Sequence, residues 1–317
     1  MYPQVNSAVQ SGQMSATRLL PSVLCLVAGL AIPLRALPAA DGPGAAAYAS
    51  MMQAWSAGNL DAALKAADRV LAAEPQNVAY LNAIGGLYCD QAQKASILTR
   101  LSWAGRCHNT WERALTIDPK NIDIRLNLIQ YYVQAPGIAG GGSDRAKEQA
   151  AAIAALDAVR GEIAFGSIAR SEKQLAEAER HYRKAAAIDR EGIRGPAALA
   201  GFYANQKRWK DARAVFEPRL AKDPGDAFAV FQLGRLLQIE GADPKGALAY
   251  FERYLAGPST PGGPTYADAW FRKGEVLLAM GRGPEAISAF ESALKLAPGH
   301  RGATAALARA KRDGPTS

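Results

Sequence analysis

Apolar residues along this chain gather into helix-length stretches separated by short polar or Pro/Gly breaks. Ala45 to Trp55 forms one such stretch, and Asn59-Leu60-Asp61-Ala62-Ala63-Leu64-Lys65-Ala66-Ala67, ending at Glu74-Pro75, forms the next. The spacing predicts two helices joined by a tight turn, the second stopped by a proline that cannot continue it. Leucine and alanine dominate the apolar share, which favours helix because alanine loses no side-chain entropy there and leucine loses little. Breaks such as Ala135-Pro136-Gly137-Ile138-Ala139-Gly140-Gly141-Gly142-Ser143 and Gly257-Pro258-Ser259-Thr260-Pro261-Gly262-Gly263-Pro264 predict turns or small hinges.

The helical pattern repeats. Trp270, Gly274, Ala286, Phe290, Ala293 and Pro298 form one copy, and Leu199, Ala200, Tyr203, Ala212, Phe216 and Pro224 fall in the same register, with Trp209-Lys210-Asp211 opening the second helix. Gly166, Ala178, Tyr182 and Ala185 repeat the spacing, with Arg190 where a proline would stand. Leu233, Gly234, Leu237, Ala247 and Phe251 form a further copy, lengthened by one residue at Gly241-Ala242-Asp243-Pro244. The amino-terminal half is looser. Leu81, Ile84, Gly85 and Tyr88 lead to Trp111, Ala114, Leu115, Ile117, Asp118 and Pro119; a third copy runs from Ile122 through Leu128 and Tyr132 to Ala146 and Leu156. Pro75 and Pro119 stand 44 positions apart, so extra residues are expected around Lys94 to Leu101, in the helices or in the turn between them.

This series resembles the tetratricopeptide repeat, a pair of antiparallel helices about 34 residues long with a small residue at the crossing and a closing proline. The resemblance implies an all-α solenoid of about seven repeats over residues 44–300, wound as a right-handed superhelix. Residues 301–317 then supply a capping helix, Ala303 to Arg309, and a tail that frays from Lys311. Because the recurring residues are consumed by packing between neighbours, recognition is left to the concave wall of first helices. The resemblance places that wall at Asn82, Gln130, Arg160, Arg170, Arg194, Phe228, Phe231, Arg235 and Phe271. Arginine can hold a carboxylate by two parallel hydrogen bonds and phenylalanine supplies apolar anchors, so a protein or peptide partner is expected. A second reading makes the three phenylalanines packing residues and the arginines a solvated face. The basic-and-asparagine clamp of the family's chaperone-tail receptors is not visible.

Leu19 to Ile32 is a predominantly apolar run behind Arg18, with small residues from Ala36 to Ala40, which predicts a signal peptide over residues 1–40 and a periplasmic or secreted protein. Met14 is an alternative start, and an amino-terminal anchor in the inner membrane is the alternative fate of the run, although Pro21, Pro33 and Arg35 argue against a span. No integral membrane segment is expected after cleavage. The formal net charge of +8 includes Arg18 and Arg35 and stays positive without them, yet no dense Lys/Arg block alternates with aromatics, so no nucleic-acid partner is expected.

No catalytic reading emerges, and no cofactor or metal is expected. His108, His181 and His300 are the only histidines, each in a different repeat. Gly140-Gly141-Gly142-Ser143-Asp144 lacks the Gly-Lys-Ser/Thr ending of a phosphate loop, and Ser143 or Asp144 is expected to cap the following helix. Cys89 and Cys107 lie on facing helices of the enlarged repeat, either bridged or as two small buried thiols. Two functions follow: a non-catalytic envelope scaffold that binds a protein or peptide on its concave face, or a self-assembling or spacer solenoid with no groove ligand. The partner, the pathway and the oligomeric state are not encoded in any motif.

Overall fold

The computed structural model describes residues 42–313, so the expected export segment lies outside the described residues. Helices α1 (Ala45–Ser56) and α2 (Leu60–Ala73), α3 (Val78–Lys94) and α4 (Ile97–Ile117), α5 (Ile122–Gln134) and α6 (Ser143–Leu156), and α7 (Ala158–Ser171) and α8 (Leu175–Ile188) pack in pairs. The second half continues with α9 (Arg194–Asn205) against α10 (Trp209–Ala214) and its continuation α11 (Glu217–Lys222), α12 (Ala227–Glu240) against α13 (Pro244–Ala256), and α14 (Tyr266–Ala279) against α15 (Gly283–Leu296). Among the described residues there is no strand. Neighbouring pairs stack to give an all-α solenoid, and α16 (Arg301–Asp313) caps it by packing on α15 and α14 with Ala303, Ala306 and Ala310 buried.

Local sequence explains where first helices start. In Pro75-Gln76-Asn77, Pro119-Lys120-Asn121 and Pro224-Gly225-Asp226 the proline follows the end of one second helix, and the Asn or Asp caps the next first helix. Asn77 accepts from the Tyr80 N–H at 3.2 Å, Asn121 from Ile124 at 3.1 Å and Asp226 from Ala229 at 2.9 Å. Where Arg190 replaces the proline, Asp189 ends α8 and its carboxylate takes the Gly195 N–H at 2.8 Å, tying down the start of α9.

In four of the pairs the first helix carries a glycine where a ring from the second helix crosses it. A Cβ built on Gly274 of α14 would lie 2.5 Å from Cε1 of Phe290 on α15, closer than any real contact. A Cβ on Gly85 would lie as tightly against Trp111, at 2.4 Å, while one on Gly166 would lie 3.0 Å from Tyr182 and one on Gly234 2.9 Å from Tyr250 and 3.3 Å from Phe251. The same seam, a bare backbone on the first helix under a ring from the second, therefore recurs along the solenoid.

The extra residues of the second pair lie in the helices, not in the turn. Helix α3 has 17 residues and α4 has 21, joined only by Ala95 and Ser96. Cys89 and Cys107 are joined by a disulfide that ties the two together, with their Cα atoms 5.2 Å apart. The second helix of the fifth pair departs from expectation: it breaks at Val215-Phe216 instead of running on from Trp209. Pro218 lies in the first turn of α11, where its missing N–H costs nothing, but its ring cannot coexist with an unbroken turn before it. Phe216 still packs fully buried and edge-on to Phe228, with ring centroids 5.7 Å apart.

Both long breaks are pinned to their helices. Tyr131 donates to the Ala139 carbonyl and the Gly142 N–H donates to the Tyr132 carbonyl at 2.9 Å, around a 3-10 turn at Gly137–Ala139. At the second break, Tyr254 donates to the Pro264 carbonyl and Tyr266 to that of Gly257 at 2.7 Å, while Thr265 and Asp268 form a capping box on α14. The expected cap by Ser143 or Asp144 is not formed. Gly142 occupies the cap position, and Ser143 instead donates to Glu172, at the end of α7 in the next pair. Helix α16 runs on to Asp313, and Lys311 pairs with Glu291 of α15 at 2.8 Å.

Phe290→Ala should destabilise the protein by about 3 to 5 kcal/mol, because it empties a fully buried seam, and denaturant unfolding would read this as a lower midpoint. Reducing the Cys89–Cys107 bridge, which spans 18 positions, should lower stability by about 3 kcal/mol. Identical unfolding midpoints with and without reductant would contradict the bridge.

Candidate functional site: the wall of first helices

Helices α3, α5, α7, α9, α12 and α14 are the first members of their pairs, and α5 touches α7, α7 touches α9 and α12 touches α14, so these helices form one side of the stack. Asn82 of α3 accepts from Asn127 Nδ2 of α5 at 2.8 Å, and its backbone carbonyl takes the Trp111 indole N–H at 3.0 Å. Gln130 is exposed. Arg160 of α7 pairs with Asp123 of α5, and Arg194, at the start of α9, reaches Asp157, the cap of α7, at 3.9 Å. Each of these arginines thus spends its charge on a carboxylate one pair earlier. Arg170, in the last turn of α7, is half-buried.

The phenylalanines sort differently from the groove expectation. Phe228 is buried in the seam, edge-on to Phe216 and under the Arg219 guanidinium, 5.5 Å from the ring centroid. Phe231 is buried between Phe251 and Tyr254, with ring centroids 5.6 and 5.2 Å away. Neither presents an open ring, because neighbouring second helices cover both flanks of α12. Phe271 is half-buried, packed on Phe290 and on His300.

Arg235 stands apart. It is half-buried on α12, and its guanidinium donates to Gln232 Oε1 at 3.3 Å; among the described residues no carboxylate pairs with it. Burial lowers its pKa from the ordinary value, and the positive charge of Arg272 adds to the effect. Arg272 is itself neutralised by Glu275 at 2.8 Å, and Glu275 also accepts from Gln238 at 2.9 Å. Beside Arg235 lies a recess of about 50 Å³ between α9 and α12, floored by Ala197, Ala200, Gly201 and Ala204 and edged by Asn205 and Gln232. A partly dehydrated cation beside a notch of small residues is a place where an anionic or hydrogen-bonding group gains more than it would in water.

A wider, open trough of about 530 Å³ lies on the opposite helices, between α6 and α8, lined by Lys147, Phe165, Glu172, Leu175, Glu177 and His181. Its charged groups are largely paired with one another, although Glu172 Oε2 is buried with no hydrogen-bond partner among the described residues. Glu162 accepts from His181 at 2.7 Å and pairs with Lys184 at 2.6 Å, while His181 also reaches Glu177 at 3.1 Å and stacks on Phe165. Burial pushes the Glu162 carboxyl up, but the Lys184 and His181 hydrogen bonds outweigh it and hold the pKa below the ordinary value. The other histidines are also structural: His108 bonds Tyr132 at 3.1 Å, and His300 Nδ1 accepts the Ala303 N–H at 3.0 Å, capping α16. Among the described residues no group of three or more His, Cys, Asp or Glu could hold a metal ion.

The stacked pairs and their glycine-under-ring seams have a counterpart in known sequences. A tetratricopeptide repeat family model matches residues 52–93 and 236–301, and a second tetratricopeptide repeat model matches residues 169–236, together more than half of the chain. The chain belongs to the tetratricopeptide repeat family. The unmatched stretch between these segments, residues 94–168, holds the lengthened α4 and the loop before α6, where repeat spacing is lost. No curated protein sequence matches the chain. Among solved structures, yeast Tom70 is similar at 14% identity and a TM-score of 0.52, covering 86% of this chain and 57% of that one. A tetratricopeptide repeat protein from Parabacteroides merdae ATCC 43184 is similar at 16% identity and a TM-score of 0.46, covering 84% of this chain and 99% of that one. Tetratricopeptide repeats are in general non-catalytic scaffolds for protein interaction.

The family resemblance put Arg235 on the wall but missed Asn127, Asn205 and Gln232, whose positions matter only because a neighbouring first helix comes beside them.

Glu162→Gln should cost about 1 to 3 kcal/mol at neutral pH, because it removes the charge that Lys184 and His181 bond. The folded-state pKa of Glu162 is lowered, so its contribution is complete above the ordinary carboxylate pKa and fades as pH falls through the folded value. Unfolding curves of variant and wild type should therefore converge as pH falls through that lowered folded-state value. A gap that persists unchanged in acid would contradict this assignment.

Proposed function

We propose that the chain is a non-catalytic scaffold of the cell envelope that holds a protein or peptide segment along its wall of first helices, anchored at the Arg235 recess. The observation that carries this reading is Arg235 itself: Arg160 and Arg194 are matched by carboxylates of the neighbouring pair, whereas Arg235 is half-buried beside an open notch and bonded only to a neutral amide. Leaving a dehydrated guanidinium without a carboxylate costs stability, so its retention fits a partner that supplies the anion. An acidic side chain or terminal carboxylate of an extended peptide suits that position, with Asn205 and Gln232 within the same recess to bond its backbone. The apolar run from Leu19 to Ile32 and the Cys89–Cys107 bridge support an envelope location, since disulfides persist in oxidising compartments.

Affinity capture from an envelope extract tests the reading, with wild type, Arg235→Glu and, as a control, Arg309→Glu on the exposed side of α16. The partner retained by wild type and by Arg309→Glu should bind Arg235→Glu at least about tenfold more weakly. Equal retention by all three chains would overturn the proposal.

A further inference from the structure

The enlarged second pair projects a surface that the wall of first helices does not use. Helix α4 begins with Ile97 and Leu98, which are 81% and 89% exposed, and Leu101 follows one turn later, also exposed. These residues cannot be packing side chains, and their helical spacing puts them along one side of the first two turns of α4. The 3-10 turn that carries Ile138, 83% exposed, also packs against α4. Apolar side chains exposed to this degree on one hairpin and its neighbouring turn mark an interaction surface.

Charge identifies the partner. From Gln91 to Trp111 the chain carries Lys94, Arg100 and Arg106 and no acidic residue. All three cations are exposed, and Arg106 lies over the Trp103 ring at 4.7 Å. Asp90, just before the stretch, is occupied by the Trp55 indole N–H at 2.8 Å. The disulfide between Cys89 and Cys107 fastens α3 to α4 behind the tip, so the tip is held out as a fixed element. We propose that the tip of the α3–α4 hairpin docks onto an anionic lipid surface, with Ile97, Leu98 and Leu101 entering the headgroup boundary and Lys94, Arg100 and Arg106 facing the lipid phosphates. Apolar insertion flanked by cations is the chemistry of interfacial binding to acidic bilayers. A second copy of the chain fits poorly, because symmetric pairing of this face would bring the two sets of cations together. No helix among the described residues is long and apolar enough to cross a membrane, so contact through the tip is peripheral. This surface is separate from the Arg235 recess, and the proposal stands or falls independently of it.

Amide hydrogen exchange of the full chain tests the idea locally, which keeps the tip distinct from the apolar segment at residues 19–32. Exchange across residues 97–105 should slow about tenfold when vesicles containing phosphatidylglycerol are added, and should not change with phosphatidylcholine vesicles. The protection should be lost in the Ile97→Ser/Leu98→Ser variant, and should weaken with Lys94→Ser/Arg100→Ser/Arg106→Ser or at high salt. Three results would overturn it: no slowing with anionic vesicles, slowing that the serine substitutions leave intact, or protection that rises with protein concentration in the absence of lipid, which would assign the face to self-association.

Discussion

The close crossing of two helices, a ring from the second lying on the bare backbone of the first, sets the geometry of this protein. Phe290 on Gly274 and Trp111 on Gly85 show the constraint at opposite ends of the chain. Any side chain at either glycine would force the pair apart and, because each pair is a surface for the next, would shift the stack on both sides. The aromatic share of the chain is largely spent here and in the adjoining seams, as Phe216, Phe228, Phe231, Phe251 and Tyr254 illustrate. Rings so employed are unavailable for recognition, which leaves the wall of first helices mainly polar.

On that wall, charge is handed from pair to pair. Asp123 meets Arg160 and Asp157 meets Arg194, each link joining successive first helices. These half-exposed bridges contribute little stability individually, but they fix which side chains are already committed. Arg235 breaks the sequence: its neighbour on the next first helix is another arginine, and Glu275 is taken by Arg272 and Gln238. A site arises where the structural pattern leaves a charge unmatched.

The irregular second and third pairs follow another logic. Lengthening both α3 and α4 leaves the seam around Gly85 and Trp111 intact and puts the added turns beyond the stack, where the disulfide supports them. Neighbouring pairs cannot cover a tip that outgrows them, and Ile97 and Leu98 are exposed for that reason. Growth of a repeat along its own axes thus creates surface without disturbing the packing that defines the family.

The sequence by itself determined the helices, their pairing and their family, because glycine, ring and proline recur at fixed offsets and each has a local steric reason to be there. It also marked Arg235 as a wall residue and brought Cys89 and Cys107 together as a candidate bridge. Only the tertiary structure decided that Phe228 and Phe231 face seams, that Asn127 and Gln232 belong beside the wall residues, and that Ser143 reaches Glu172 instead of capping its helix. The break at Pro218 was written in the chain, yet its mildness depends on Phe216 keeping its place against Phe228. Helical spacing assigns a residue to a face, but burial depends on which neighbour covers that face. In a stack of near-identical pairs, that is fixed by how one pair sits on the next.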